Sequence, residues 1–150
     1  MSSALELADK FLAVHLQIRR RLDSALAETG LSLARYRFLA MLSEHGPCRS
    51  IDMAKHFGFA PRSITEAIDT LEHEGLAIRM PDPHDRRAKV ISITEKGLEA
   101  LRVSSAYRKE VVEAVFANLD HSQRDHLQTI LDSLVLRLTK TAAGAQKTNG

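Results

Sequence analysis

Two short clusters in this chain carry side chains suited to reading an anionic, hydrogen-bonding surface. In Pro61-Arg62-Ser63-Ile64-Thr65-Glu66, the polar residues Arg62, Ser63, Thr65 and Glu66 surround one apolar residue, Ile64. The Arg62 guanidinium is a planar fork that pairs with guanine O6 and N7 together, and the two hydroxyls suit phosphates or either base. In the second cluster, Arg86, Arg87 and Lys89 place cations close together beside Asp85. An Arg on a thin loop can enter a narrow minor groove, where the potential is most negative. Asp85 cannot face phosphate favourably, so its expected part is to hold Arg86 or Arg87 by a charge-assisted hydrogen bond. Each cluster also has a plainer reading. Arg62 and Glu66, at i and i+4, make a surface ion pair worth a few tenths of a kcal/mol, and Asp-Arg-Arg makes a solvated turn.

Other chemistries find less support. The histidines His15, His45, His56, His73, His84, His121 and His126 show neither paired metal-ligand spacing nor a cysteine cluster. There is no glycine-rich phosphate loop, and nothing singles out a Ser-His-Asp set. The reading is therefore of a non-enzyme with no metal and no cofactor. A lone Cys48 cannot form an internal disulfide, and a free cysteine is more often a small buried hydrophobe than a sensor. Glu6, Asp9 and Lys10 interrupt every apolar run near the N-terminus, and no run approaches the roughly 20 residues that cross a bilayer. A cytoplasmic protein without membrane contact is expected. Net charge is +2 and the isoelectric point about 8.9, too mild for charge alone to drive nucleic-acid binding. Placement must decide.

The elements that would place these clusters follow from periodicity. Residues 4–28 put apolar side chains on a broad helical face, and Gly30 stops that helix. Ser32 caps a second helix over 33–44, ending before Gly46-Pro47. Ser50 is expected to cap a short helix over 51–57, broken by Gly58, and a new helix starts at Ala60-Pro61, where a missing N–H costs nothing. Its stripe Ile64, Ala67, Ile68 and Leu71 ends at Gly75. Two short helices about a tight glycine turn predict a helix-turn-helix, and the first half of the second helix is the part that meets base edges. Two β-prone runs, 76–80 and 89–93, flank the turn-rich 81–87 and predict a hairpin with a charged tip. Thr94 caps a long helix over 95–117, and Asp120 with Gln123 opens a last one through Leu138. The expected fold is mainly α with a small β-hairpin wing.

In this order, Leu71-Glu72-His73-Glu74-Gly75-Leu76, Asp82-Pro83-His84-Asp85-Arg86-Arg87-Ala88-Lys89 and Ile93-Thr94-Glu95-Lys96-Gly97 resemble the signature of the MarR family of bacterial transcriptional regulators. The resemblance extends over nearly the whole chain. It implies one domain over 1–150, with 33–94 as a winged helix-turn-helix and 4–30 and 95–140 as dimerisation helices; residues 141–150 lie outside the resemblance and read as a flexible tail. It implies a homodimer on a pseudo-palindromic double-stranded DNA site, acting as a repressor released by a small anionic or phenolic ligand. The apolar excess on the first and last helices agrees with an interface. Two-fold pairing would set the recognition helices about 34 Å apart.

For the ligand pocket, His15 and Arg19 stand where the series Leu5, Ala8, Leu12 would continue with apolar residues. They are candidate anion ligands, with Arg35 and Arg37 beside them. The alternative is an interface histidine at 15 and an Arg19 paired with an acid. The family's peroxide-sensing branches resemble one another in a first-helix cysteine and its urate-responsive branch in a tryptophan, and neither stands here. An effector-independent architectural protein and a protein-interaction module remain as alternatives on the same fold.

Overall fold

The computed structural model describes Met1 and residues 3–145, with side chains to residue 140. Helix α1 (Ala4–Ala27) opens on a capping box: Ser3 accepts from the Glu6 amide at 3.1 Å, and the Glu6 carboxylate accepts from the Ser3 amide at 2.8 Å. Helix α2 (Leu33–His45) is capped by Ser32, as expected. Helix α3 (Ser50–Phe57) departs from expectation. Ser50 is the first helical residue and Arg49 occupies the cap position, with no side-chain cap bond. Gly58, left-handed at φ 66°, turns the chain into α4 (Pro61–His73), which has Pro61 in its first turn.

The hairpin strands are β1 (Ala77–Pro81) and β2 (Lys89–Ile93), antiparallel in the register Ala77 opposite Ile93 through Pro81 opposite Lys89. Cys48 adds an isolated bridge to Ile91, its amide and carbonyl bonding at 3.1 and 2.8 Å. The segment between α2 and α3 is thereby stitched to the wing. Helix α5 (Glu95–Phe116) starts on Thr94, whose hydroxyl accepts from the Gly97 amide at 3.0 Å. Helix α6 (His121–Ala145) starts on the expected Asp120–Gln123 capping box. It also runs further than expected. Residues 141–145, read from sequence as the start of a flexible tail, continue the helix, and the rest of that stretch lies outside the described residues.

The chain divides into two compact units, with the boundary between Val112 and Glu113. The core of the first is built from Leu31, Phe38, Leu39, Leu42, Met53, Ile64, Ile68, Leu71, Leu76 and Ile91, all buried. Three of these come from α4. Fully burying an Ile or Leu side chain is worth about 1.5–3 kcal/mol, so the stripe Ile64, Ile68 and Leu71 fixes the rotation of α4 about its axis. At the base of the wing, Gly97 packs directly on the backbone of Leu76. An added Cβ would run into the Leu76 carbonyl and lie 2.8 Å from Ile93 Cγ1. Thr94 Oγ1 donates to the Gly75 carbonyl at 2.6 Å, and Lys96 Nζ donates to the Glu74 carbonyl at 2.7 Å. The run Thr94-Glu95-Lys96-Gly97 is therefore the joint on which α5 leaves the wing.

Replacing a helical glycine by alanine ordinarily stabilises by about 1 kcal/mol. Here the neighbour is backbone and cannot swing aside, so Gly97→Ala should instead destabilise the first unit by about 2 kcal/mol or more. Urea unfolding followed by circular dichroism measures the sign.

Candidate nucleic-acid interface

With Ile64 wholly buried, the first half of α4 turns Arg62, Ser63, Thr65 and Glu66 to solvent, as expected. The plainer contact exists as well. Arg62 Nε donates to Glu66 Oε1 at 3.0 Å, in a pair whose side chains are 90% and 66% exposed. Such a pair is worth a few tenths of a kcal/mol, too little to keep Arg62 from a better partner. Thr65 Oγ1 donates back to the Pro61 carbonyl at 3.0 Å, leaving its oxygen lone pairs outward.

The wing tip between the strands is closed by backbone bonds. The Asp82 amide donates to the Ala88 carbonyl and the Ala88 amide to the Asp85 carbonyl, each at 3.0 Å. Arg86, Arg87 and Lys89 stand exposed on it, and among the described residues none of the three has an ion-pair partner. The part expected of Asp85 needs correction. Its Oδ1 accepts from the Arg87 backbone amide at 3.0 Å rather than from a guanidinium. A carboxylate two residues back reaches the amide in a tight turn without ordering a long side chain, so the local bond wins. Asp85 shapes the loop that carries Arg87; it does not grip Arg87 itself.

Sequence reasoning missed the charged frame behind these residues. Asp82 is 6% exposed and is the one buried charged side chain among the described residues. Its Oδ1 accepts from the His84 amide at 2.8 Å, while its Oδ2 takes Arg49 Nε at 2.7 Å and Nη2 at 2.5 Å. Arg49 Nη2 also lies 3.9 Å from Asp85 Oδ2. Across the wing, Arg79 on β1 binds Glu72 through Nη1 and Asp69 through Nη2, the latter at 2.5 Å, tying β1 to the second half of α4. Pairings 33 and 10 residues apart leave no mark in local spacing. No local signal could have found Arg49, because the neighbouring Ser50 is itself a preferred cap residue and hides the true cap.

Three of the four pocket candidates have separate partners, and these do not join them. His15 and Arg19 are exposed on α1, with Arg19 Nε 3.8 Å from Asp23. Arg35 Nη1 lies 2.5 Å from both Glu74 carboxylate oxygens, and its Nη2 donates to the Gly30 carbonyl. Arg37 sits over the Phe57 ring at 5.1 Å. Arg35 also lines an open cavity of about 340 Å³ with Asp23, Ala27 and Leu31. Burial, and then the charge of Asp52, push the Cys48 thiol up, which disfavours its thiolate. Among the described residues no group of three His, Cys, Asp or Glu could hold a metal, and no helix is long and apolar enough to cross a membrane.

Paired helices α3 and α4, a hairpin stitched to their base and an exposed basic tip define a winged helix-turn-helix. The MarR family model matches residues 31–89, from just before α2 through the wing tip to the first residue of β2. Among curated relatives, an uncharacterized HTH-type transcriptional regulator of Bacillus subtilis, YwhA, is 27% identical over 85% of this chain and 92% of its own length. The HTH-type transcriptional repressor IacR of Pseudomonas putida is 25% identical over 79% of this chain and 71% of its own. Among solved structures, CouR from Rhodococcus jostii bound to p-coumaroyl-CoA superposes with a TM-score of 0.78 at 26% identity, covering 89% of this chain and 95% of that one. The winged unit therefore matches the MarR family model, and over most of its length the chain is similar to transcriptional regulators.

The backbone amide of His84, and then Arg49, hold the Asp82 carboxyl below the usual carboxylate range. A group depressed in the folded state stabilises above its unfolded pKa, about 3.9 for Asp, and loses that contribution as pH falls through the folded value. The Arg49–Asp82 contact should therefore be unchanged from pH 8 to 5 and give way only in acid below about pH 4. An NMR titration of the Arg49 Nε–H resonance reads this directly.

Proposed function

We propose that the chain is a sequence-specific repressor that docks as a homodimer on double-stranded DNA, with α4 in the major groove and the wing in the adjoining minor groove. The observation that carries this reading is the pairing of two exposed faces on one fixed frame. Arg62, Ser63, Thr65 and Glu66 stand out from a helix locked by its buried stripe, and Arg86, Arg87 and Lys89 stand unpaired on the wing tip. Asp85 contributes by shaping that tip. The repressor in the name of IacR supports the sign of regulation.

Dimerisation through residues 4–30 and 95–140 is supported by what α1 exposes. Leu5, Leu7, Phe11, Leu12, Val14 and Leu16 are each between 45% and 79% exposed. A run of this kind on one helix marks an interface. On α6, Ile130, Leu134, Val135 and Leu138 are likewise exposed. Sedimentation equilibrium should give a dimer, and Leu12→Glu should shift it to monomer and remove DNA binding with it.

For release, a small anionic or phenolic effector would meet Arg35 at its cavity, while His15 and Arg19, exposed on α1 with Arg19 beside Asp23, would face a ligand shared with the second copy, and Arg37 of α2 stands over Phe57. The p-coumaroyl-CoA of CouR, an anionic phenolic thioester, supports this chemistry. A shift of 1–3 kcal/mol between two dimer shapes would suffice.

The docking model is tested with a duplex selected from a random library by the full-length protein. Arg62→Ala should cost about 1–3 kcal/mol at one base position and relax preference there. Arg87→Ala should weaken binding and remove any preference for an A·T-rich flank. Affinity should fall steeply with salt. A salt-insensitive signal, or two variants that bind as the parent does, would overturn the docking model in favour of a protein-interaction module.

A further inference from the structure

Arg49 stands at a position where its side chain does nothing for its own helix. It is the cap residue of α3, its carbonyl accepts from the Asp52 and Met53 amides, and no side chain caps the exposed amides of that helix. A Ser, Thr or Asp there would ordinarily stabilise the helix by about 0.5–2 kcal/mol. Where a local rule is broken, the side chain is expected to serve elsewhere. Here it crosses to the wing. Two guanidinium donors converge on one oxygen of the buried Asp82, and a second carboxylate oxygen, on Asp85, lies 3.9 Å from Nη2.

These two acids bracket the basic tip. Asp82 is the residue at which the chain leaves β1, and its amide closes the loop onto Ala88. Asp85 holds the Arg87 amide. Arg49 thus touches both carboxylates that define the loop carrying Arg86 and Arg87. It does so from the segment that Cys48 stitches to β2 and that opens directly into the helix-turn-helix. The only other side-chain tie across the wing described above, Arg79 to Asp69 and Glu72, acts on the opposite side, at the second half of α4.

We propose that Arg49 is a positioning residue for DNA readout: it touches no DNA, but sets the angle of the wing so that Arg87 and Arg86 reach the minor groove while α4 occupies the major groove. The proposal rests on the docking reading above and adds a residue and a mechanism to it. A wing tip hinged on two strands alone would sample many directions, and each would have to be given up on binding. The guanidinium removes that freedom beforehand. Its planar geometry matters, since two donors on one carboxylate oxygen fix direction as well as distance.

The test uses the full-length protein and the selected duplex, with two footprints read side by side. Guanine N7 methylation reports the major groove under α4, and hydroxyl-radical cleavage reports the minor groove under the wing. The parent protein should protect both. Arg49→Ala should keep its helical circular dichroism and its N7 protection, lose minor-groove protection, and bind about 10-fold more weakly. Combined with Arg87→Ala it should add little further loss, because a misaimed Arg87 has already lost its contact. Arg49→Lys, which keeps the charge but not the paired donors, should behave like Arg49→Ala rather than like the parent. Should Arg49→Ala fail to fold, the same measurements on Arg49→Lys and Asp82→Asn decide the matter. Retained minor-groove protection in the folded variants, or losses that add fully to those of Arg87→Ala, would overturn the proposal. Absence of both footprints with the parent protein would instead overturn the docking reading, and this proposal with it.

Discussion

The sealing of one face of α4 is the constraint on which the rest of this structure depends. Ile64, Ile68 and Leu71 are at most 1% exposed, and the helix that carries them packs against both α3 and β1. A helix held on a full stripe can neither roll nor slide without opening several kcal/mol of apolar surface. Every polar residue in its first half then has an assigned direction. The same stripe supplies the floor on which the hairpin rests, so the two parts that would address neighbouring grooves share one core rather than two.

Charge is arranged around that core with a clear division. The arginines that face the frame are each matched by acids: Arg49 by Asp82, Arg79 by Asp69 and Glu72, Arg35 by Glu74. The cations at the wing tip are left unmatched. This explains how a chain of net charge +2 can present a basic edge. The acids are spent behind the working surface, where they orient structure, and few are left beside it to repel phosphate. Net charge is then a poor guide to what the surface can bind, and local placement a good one.

What the sequence revealed divides along the same line. Helix and strand positions were legible because apolar period, glycine stops and caps are local signals. The capping box at Asp120 and the two hairpin strands fall within a few residues of expectation. The failures are of two physical kinds. Ser50 was read as a cap because Ser caps helices well, but Arg49 is committed to a partner far along the chain, and tertiary contact overrode propensity. Asp85 was assigned to a guanidinium because opposite charges attract, whereas the shorter reach to an amide two residues on costs less side-chain entropy. Residues 141–145 were read as the start of a flexible tail, although alanine is the strongest helix former and α6 continues through them. The pocket candidates were legible only as residue types out of pattern, since convergence in space leaves no spacing to read.

The Arg62–Glu66 pair shows why a contact seen without DNA need not argue against a role with it. In the free protein the pair is solvent-exposed, so the few tenths of a kcal/mol it provides is small against the about 1–3 kcal/mol of a bidentate contact to guanine. The exchange is therefore downhill where the right base is present. On the proposed docking, Arg62 would gain little by leaving opposite a base that offers no pair of acceptors, and Glu66 would keep it folded along the helix. Glu66 also repels phosphate and can accept from a cytosine amino group. On the proposed docking, an acid beside Arg62 would weaken wrong contacts more than right ones, which is the form that specificity takes when it is built from a difference of affinities.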